Sequence, residues 1–220
     1  MFERHKEKKA EAEYQEASAR WQRERDGEAA AVSFAQTYAG EASSELMLHA
    51  GEAVFAKITD AALVELRRGP GQWQGRSSGV SVPIGSLGGR SIRYHAGASK
   101  GHYVQGTPHP TAIDTGTAFI TNQRVVFQGH SQTRECLFAK LLGCEPSEDG
   151  STTFSVSNRQ KPTTIHYGPK LNGWVHLRLE VALANYRAAV PALIEQLQHE
   201  LAAIDAAKPT PPSPTSPVGG

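Results

Sequence analysis

Apolar and polar residues alternate through much of the middle of the chain, and this pattern predicts β-strands. The first run has five alternating apolar residues: Val54, Ala56, Ile58, Val64 and Leu66. Successive side chains of a strand face opposite sides, so such a run indicates a strand with one buried face. Asp60 interrupts the run. We therefore expect a first strand that is bent at Asp60.

Residues 116–129 predict a β-hairpin. Two apolar runs flank a short polar break at Asn122-Gln123, and glycine bounds both ends. Residues 119–120 and 126–127 place apolar side chains on both faces of each strand, which is typical of strands inside a sheet. The hairpin is therefore expected to be central, and substitution of Phe127 is expected to unfold the domain.

Further strands are predicted at about 134–140, 152–157 and 163–167, with an acidic turn over 145–150. The Gly-rich segment 69–115 is an insertion, in which we expect short strands near 90–95 and 102–105. A 45-residue loop without structure is improbable within a compact domain.

An ambiguous segment and an amphipathic helix follow these strands. Alternating apolar residues between 174 and 183 favour a strand, whereas the residues from Ala182 to Tyr186 favour a helix. We place the change near Glu180 and leave open whether 174–180 is strand or helix. An amphipathic helix is then predicted after Pro191 from one apolar stripe: Leu193, Ile194, Leu197, Leu201 and Ile204.

The first part of the chain predicts a charged helix. Residues 3–26 carry seven basic and seven acidic side chains, and Ala10, Tyr14, Ala17 and Trp21 form one thin apolar stripe. A solvated arm is the favoured interpretation. The alternative is a docking or coiled-coil helix with Tyr14 and Trp21 as contacts, through which the chain would form homo-oligomers.

These patterns divide the chain into four parts. A charged helix covers 1–27, an Ala-rich helical linker 28–50, and a compact domain 51–205 that contains the insertion 69–115. The last part, 206–220, has five prolines after Lys208 and is expected to be disordered.

The hairpin resembles that of a known family. Gly116-Thr117, Ile120-Thr121-Asn122, Arg124 and Phe127 are similar to the GT-x-x-ITN-x-R-x-x-F string in the central hairpin of the GRAM and pleckstrin-homology-like family, in its bacterial, functionally unassigned type. The resemblance continues through a strand that runs into residues 139–142, another strand opened by Asp149-Gly150 and its turn at 159–161. It covers about 50–205 and is interrupted by the insertion.

The resemblance implies a mainly β fold with flanking helices, of class α+β. The expected architecture is a bent antiparallel barrel that is preceded by N-terminal helices. A C-terminal amphipathic helix is expected to plug one open end of this barrel.

Charge and composition limit the partners. The formal net charge is +1, from 23 basic and 22 acidic residues, so the chain as a whole has no field that would hold nucleic acid. The first 28 residues are too charged for a signal peptide, and no apolar run reaches the roughly 20 residues of a spanning helix. We therefore expect a cytoplasmic protein, at most peripheral to a membrane, in which Cys136 and Cys144 are reduced thiols.

Few residues suggest chemistry. The segment 97–101 (Gly-Ala-Ser-Lys-Gly) lacks the spacing of a phosphate-binding loop, so no cofactor is predicted. His95, His102 and His109 recur every seven residues without the close spacing of zinc ligands, and surface histidines are the favoured interpretation. Cys136 alternates with Phe138 and is expected to face the core, and no catalytic residue is predicted.

Basic residues are the one promising group. Six precede or lie within the insertion: Arg67, Arg68, Arg76, Arg90, Arg93 and Lys100. The resemblance implies anionic headgroup binding near this part of the fold, where Arg90, Arg93 and Lys100 would converge on a phosphate. A scattered solvated surface explains these residues equally well.

The sequence thus predicts a non-catalytic module that binds a protein partner or an anionic membrane surface. The alternative is an enzyme or metal protein with its site in the insertion 69–115, around His95, His102 and His109.

Overall fold

The computed structural model describes residues 2–70, 72–87 and 90–212. For residues 2–4, 6, 7, 72–87, 90–101 and 103 the description covers the backbone alone. The predicted disordered tail therefore lies largely outside the described residues. The chain divides into two compact units, the first made of residues 1–63 and 114–220 and the second of residues 64–113.

The described chain has three α-helices and nine strands. The helices are α1 (Phe2–Thr37), α2 (Asn172–Tyr186) and α3 (Val190–Ala206). The strands are β1 (Val54–Arg68), β2 (Gln72–Leu87), β3 (Arg90–Val104), β4 (Pro108–Thr121), β5 (Arg124–Gly129), β6 (Thr133–Leu137), β7 (Leu141–Ser147), β8 (Ser151–Val156) and β9 (Thr163–His166). The predicted α+β class is confirmed, and the nine strands together contain more residues than the three α-helices.

Seven of the strands form one antiparallel sheet in the order β6-β5-β4-β1-β9-β8-β7. Three strands, β4, β5 and β6, thus lie on one side of β1, and the other three, β9, β8 and β7, lie on its other side. The edge strands are β6 and β7, so the sheet is open over the described residues and a closed barrel is not confirmed. The remaining two strands, β2 and β3, pair with each other and replace the short strands predicted in the insertion.

Strand β1 changes its buried positions at Asp60. The buried residues of this strand are Val54, Phe55, Ala56, Ile58, Ala61 and Leu63. Asp60 has a φ of 56°, in the left-handed region, and after it the inward series is displaced by one residue, which is the effect of a β-bulge. The predicted interruption at Asp60 is confirmed. The expected continuation through Leu66 is wrong, because Leu66 is 69% exposed.

The predicted hairpin is present, formed by β4 and β5. Ile120 lies opposite Val125 and Phe119 opposite Val126, and two residues, Asn122 and Gln123, connect the strands. Phe127 is fully buried. Because β4 and β5 lie inside the sheet order, the predicted central position of the hairpin is confirmed.

Thr121 closes the tight turn of this hairpin. Its Oγ1 accepts hydrogen bonds from the backbone N–H groups of Gln123 at 3.1 Å and Arg124 at 3.0 Å. Outside glycine, Asp60 and Ala188 are the only described residues with positive φ, so neither Asn122 nor Gln123 is left-handed. The hydrogen bonds to Thr121 close the two-residue turn instead.

A buried ion pair joins the hairpin to the chain before β1. Arg124 donates from Nε to Glu52 Oε1 at 2.8 Å and from Nη2 to Glu52 Oε2 at 3.0 Å, and both residues are 8% exposed. Burial alone would raise the pKa of Glu52, but hydrogen bonds from Arg124, the His49 N–H and Thr121 outweigh it and lower this pKa. Arg124 also donates to the Met47 carbonyl at 2.7 Å and to Glu135.

Asn122 adds a second connection beside this ion pair. Its Oδ1 accepts the Ala53 N–H at 3.0 Å, and its Nδ2 donates to the Gly51 carbonyl at 3.0 Å. The segment 51–53 is thereby held against the hairpin turn. Thr121, Asn122 and Arg124 of the family-like string thus all form hydrogen bonds to the segment that leads into β1.

The sequence missed strand β7. Residues 141–144 follow the strand predicted at about 134–140, and residues 145–147 fall within the acidic turn predicted over 145–150. In the structure the turn is confined to the residues between Ser147 and Ser151. Strand β7 lies at the sheet edge and has a register irregularity between Leu141 and Gly143 as well as Pro146, so its alternation is weak. The strand predicted at 134–140 ends at Leu137, and residues 138–140 form a 3₁₀ turn.

The first helix is longer than predicted. Helix α1 continues through Gly27 to Thr37, and the segment around Leu46–Leu48 is not helical. Trp21 Nε1 donates to the Ile204 carbonyl at 2.7 Å, and Arg25 Nε to Asp205 at 2.6 Å. The solvated-arm prediction is therefore wrong from Trp21 onward, where α1 packs on α3.

The ambiguous segment 174–180 belongs entirely to helix α2. Its buried residues are Val175, Leu179, Val181, Ala182 and Ala184, which cover more than one helix face and so imitate strand alternation. The Arg178 guanidinium lies 3.9 Å from the ring centre of Trp174 and 4.6 Å from that of Phe34, a cation–π contact that connects α2 to α1.

The predicted amphipathic helix is confirmed as α3, with Leu197 buried and the other stripe residues half-buried. It packs along α1 and, to a smaller extent, along α2. Its expected role as the plug of a barrel is therefore not confirmed.

Glu28 lies where the three helices meet. Its Oε1 is shielded from solvent and has no hydrogen-bond partner among the described residues. Burial raises the pKa of Glu28, and the carboxylates of Glu200 on α3 and Glu180 on α2 raise it further. The charged form of Glu28 therefore disfavours the folded state.

Removing one partner of the buried ion pair is expected to be costly. Arg124→Met leaves Glu52 as an uncompensated buried carboxylate and should lower the free energy of unfolding by about 3–5 kcal/mol. The double variant Glu52→Gln/Arg124→Met should lose less than the sum of the two single variants. Urea unfolding of the four proteins measures this coupling, and additive losses would contradict it.

Glu28→Gln is expected to stabilise the protein at neutral pH. Folding raises the pKa of the Glu28 carboxyl. The wild type therefore loses stability as the pH rises from the unfolded-state pKa of about 4.5 through the higher folded-state pKa. The gain should stay below about 1 kcal/mol because the site is partly solvated. Thermal unfolding at pH 7 and pH 4 tests this, since the difference between the proteins should disappear at the lower pH.

Candidate functional site

Charge is segregated between the two units. Residues 64–113 contain six basic residues and one acidic residue, Glu65, which gives this unit a net charge of +5. The rest of the chain has seventeen basic and twenty-one acidic residues, a net charge of −4. The nearly neutral total therefore conceals a cationic second unit.

The cationic unit is built around a two-stranded antiparallel ribbon of β2 and β3, hereafter the ribbon. Its register runs from Gln72 opposite Val104 to Leu87 opposite Arg90, with one irregularity between Pro83 and Gly85. Glycine and serine occupy many of its positions, and small residues allow another surface to approach the backbone closely.

The predicted anion-binding residues all lie on β3. Arg90 is opposite Leu87, Arg93 is opposite Pro83, and Lys100 is opposite Arg76. Their side chains lie outside the described part of the structure, so their convergence on a phosphate stays a prediction. Ten residues of extended strand separate Arg90 from Lys100, about 33 Å. A contact that involves both ends therefore suits an extended surface better than one small anion.

The base of the ribbon is closed by close backbone contacts. Arg68 donates to the side chain of Gln105, and the Gly69 N–H donates to the Thr107 carbonyl at 3.4 Å. A Cβ added to Gly106 would lie 2.4 Å from the Gly69 carbonyl oxygen, so a larger residue cannot occupy position 106 without a shift of the backbone. Arg67 and Arg68 are exposed at this base.

The far half of the ribbon is apolar in sequence. Between residues 80 and 94 its larger apolar residues are Val80, Val82, Ile84, Leu87, Ile92 and Tyr94. Arg90 and Arg93 lie within the same stretch. This combination of apolar and cationic residues is typical of segments that contact a bilayer interface.

The alternative metal site is not assembled by the described residues. His102 and His109 are exposed, and no three His, Cys, Asp or Glu side chains of the described part come together as metal ligands. The side chain of His95 lies outside the description. Seven residues of β3 separate His95 from His102, about 23 Å along an extended strand.

The first unit has a shallow cleft of about 400 Å³ between β1, β4 and β5. Its lining consists of Thr59, Asp60, Thr115, Gly116, Thr117, Gln128, Gly129 and His130. His130 Nδ1 lies 2.7 Å from the Thr115 carbonyl. Asp60 is exposed beside this cleft and its carboxylate opposes an anionic ligand there.

Asp114 orders one wall of this cleft. Its carboxylate accepts the backbone N–H groups of Ser131 at 2.9 Å and Gln132 at 2.7 Å, and these bonds help lower the pKa of Asp114. A Cβ added to Gly116 would lie 2.0 Å from the Gln128 carbonyl oxygen, so the backbones of the two hairpin strands lie very close together here. The cleft can accept a small polar group, but it does not have the cations predicted for a headgroup site.

The two thiols are poor nucleophiles in this fold. Cys136 is 1% exposed, which confirms its predicted inward position, and burial raises its pKa. Burial, together with neighbouring Cys136 and nearby carboxylates, raises the pKa of Cys144 to about 11. Both thiols are therefore protonated at neutral pH.

Comparison of the chain with protein-family models, with curated proteins and with solved structures finds no match. None of the described helices is both long and apolar enough to cross a bilayer.

Sequence reasoning missed the segregation of charge between the two units and the shallow cleft of the first unit. The segregation of charge could have been predicted from the sequence, because counting the charges of the Gly-rich insertion separately gives the excess of basic residues directly. The cleft could not have been predicted, since it depends on the pairing of residues that lie about 55 to 70 positions apart in the chain.

Substitutions at Asp60 should reveal the cost of its left-handed backbone. Asp60→Val is expected to lower the free energy of unfolding by about 1–2 kcal/mol, because a β-branched residue is disfavoured at positive φ. Asp60→Gly should not be destabilising, and Asp60→Asn serves as the matched control. Urea unfolding measures all three, and a clear loss in Asp60→Gly would show that the carboxylate itself is stabilising.

Proposed function

We propose that this chain is a non-catalytic binding module, built on a pleckstrin-homology-like domain, whose ribbon binds an anionic membrane surface. The strand order supports the domain assignment, since four sheet strands (β1, β4, β5 and β6) are followed in the chain by three (β7, β8 and β9) that return to the other side of β1, and helices follow the last strand. The family-like residues Thr121, Asn122 and Arg124 support it too, because each has a specific role at the hairpin turn.

The observation that carries the proposal is the net charge of +5 on residues 64–113. Each basic residue near an anionic bilayer contributes about 1 kcal/mol of attraction, and this attraction falls off within a Debye length. Several weak contacts of this kind give reversible, salt-sensitive binding.

The apolar residues between 80 and 94 favour a lipid surface over a nucleic acid. Apolar side chains gain free energy at the boundary between headgroups and acyl chains, whereas a phosphate backbone has no place for them. An apolar ribbon end with Arg90 and Arg93 close by in sequence therefore suits lipid better.

The sheet edges argue against a peptide added as an extra strand. Edge strand β7 combines a register irregularity at Leu142 with Pro146, and β6 carries Arg134 and Glu135. Bulges, proline and charged residues are the features by which proteins prevent pairing at sheet edges.

Sedimentation with liposomes tests the proposal. The full chain should sediment with phosphatidylcholine vesicles that contain phosphatidylserine, should stay in the supernatant with phosphatidylcholine alone, and should be released by high salt. The triple variant Arg90→Gln/Arg93→Gln/Lys100→Gln should lose most of this binding.

The matched control is Lys140→Gln/Lys161→Gln/Lys170→Gln, which removes three exposed cations from the first unit. This variant has the same total charge as the ribbon variant and should bind almost as the wild type does. Equal loss in both variants would mean that total charge, and not the ribbon, determines binding. Equal recovery of wild type with neutral and anionic vesicles would refute the proposal.

A further inference from the structure

The ribbon register brings two similar five-residue segments together. Residues 75–79 read Gly-Arg-Ser-Ser-Gly, and residues 101–97, read backwards, are Gly-Lys-Ser-Ala-Gly. In the antiparallel register these segments pair residue by residue, glycine with glycine at both ends and Ser77 with Ser99. Arg76 is thereby directly opposite Lys100.

Two cations directly opposite each other on a ribbon are unfavourable by themselves. Opposed Cβ atoms in an antiparallel pair are about 4.5–5.5 Å apart, and like charges at that distance destabilise the pairing. A bound anion offsets this repulsion, because each cation then gains a charge-assisted hydrogen bond to it.

The neighbouring positions on the same ribbon face also supply hydrogen-bond donors. Residues two positions along each strand share the face of Arg76 and Lys100; these are Gln74, Ser78, Ala98 and His102, and all but Ala98 have a side chain that can donate a hydrogen bond. An arginine, a lysine, a hydroxyl, an amide and an imidazole together suit a phosphate with several oxygen atoms.

We infer that Arg76 and Lys100 form a phosphate-binding site on the ribbon, with Ser78, Gln74 and His102 as its neighbours. The ligand is a terminal phosphate group, either the phosphomonoester of a lipid headgroup or free phosphate. Neither Arg90 nor Arg93 has a cation opposite it, so these two residues contribute general attraction and not a defined site. This inference deepens the proposed function and rests on it.

Two vesicle compositions separate a phosphate site from general attraction. Phosphatidylcholine vesicles with phosphatidic acid present a phosphomonoester, and those with phosphatidylserine, adjusted to equal surface potential, do not. Full-length wild type should prefer phosphatidic acid, and Arg76→Gln/Lys100→Gln should reduce that preference by about tenfold, the effect of one lost charge-assisted hydrogen bond. The matched variant Arg90→Gln/Arg93→Gln should weaken binding to both vesicles equally.

Inorganic phosphate, titrated at constant ionic strength against chloride, distinguishes the source of the ligand. Competition with vesicle binding that is lost in Arg76→Gln/Lys100→Gln supports the site. Competition without a preference for phosphatidic acid identifies free phosphate as the ligand.

Two results would overturn the inference, and they differ in their meaning for the proposed function. If both double variants weaken binding to the two vesicles alike, the site is refuted while binding to the anionic surface stands. If wild type binds neither vesicle and phosphate has no effect, both proposals fail.

Discussion

The buried ion pair between Glu52 and Arg124 is the contact on which the sheet depends. It joins the segment before β1 to the start of β5, and Thr121 and Asn122 complete the same junction with hydrogen bonds to Glu52, Gly51 and Ala53. An unpaired charge at this depth would be costly, so the two segments are held in one relative position. The core around Phe119, Val126 and Leu46 packs beside this junction.

The excess of basic residues and the main stabilising contacts lie in different parts of the chain. The first unit contains the seven-stranded sheet's central hairpin, the ion pair and the three packed helices, and it carries an excess of acidic residues. The second unit contains the ribbon and nearly all of the cationic excess. The binding proposed for the ribbon therefore does not require a pocket in the core, and we expect substitutions in the ribbon to alter that binding without loss of the fold.

Local patterns predicted the elements whose signals are local. The hairpin was recognisable because both strands alternate around a two-residue turn, and α3 because its stripe has a single face. Strand β7 was missed because a sheet edge with a bulge has no clean alternation, and α2 was ambiguous because it is buried on several sides. Helix α1 passes through Gly27 since the packing of Ala31, Val32 and Ala35 outweighs the cost of one exposed glycine. The cations were visible in the sequence, but the opposition of Arg76 and Lys100 depends on a register that only the paired strands define.

The place at which the ribbon enters the fold has a consequence for its length. Strands β1 and β4 precede and follow the ribbon in the chain and are neighbours in the sheet. The ion pair between Glu52 and Arg124 joins two residues that are 72 positions apart and so closes the loop that contains the ribbon. The entropy lost on closing a loop rises only logarithmically, about 0.6 kcal/mol for each doubling of length. A change in the length of this excursion therefore carries little thermodynamic penalty, so the ribbon can be lengthened, shortened or replaced while the scaffold stays the same.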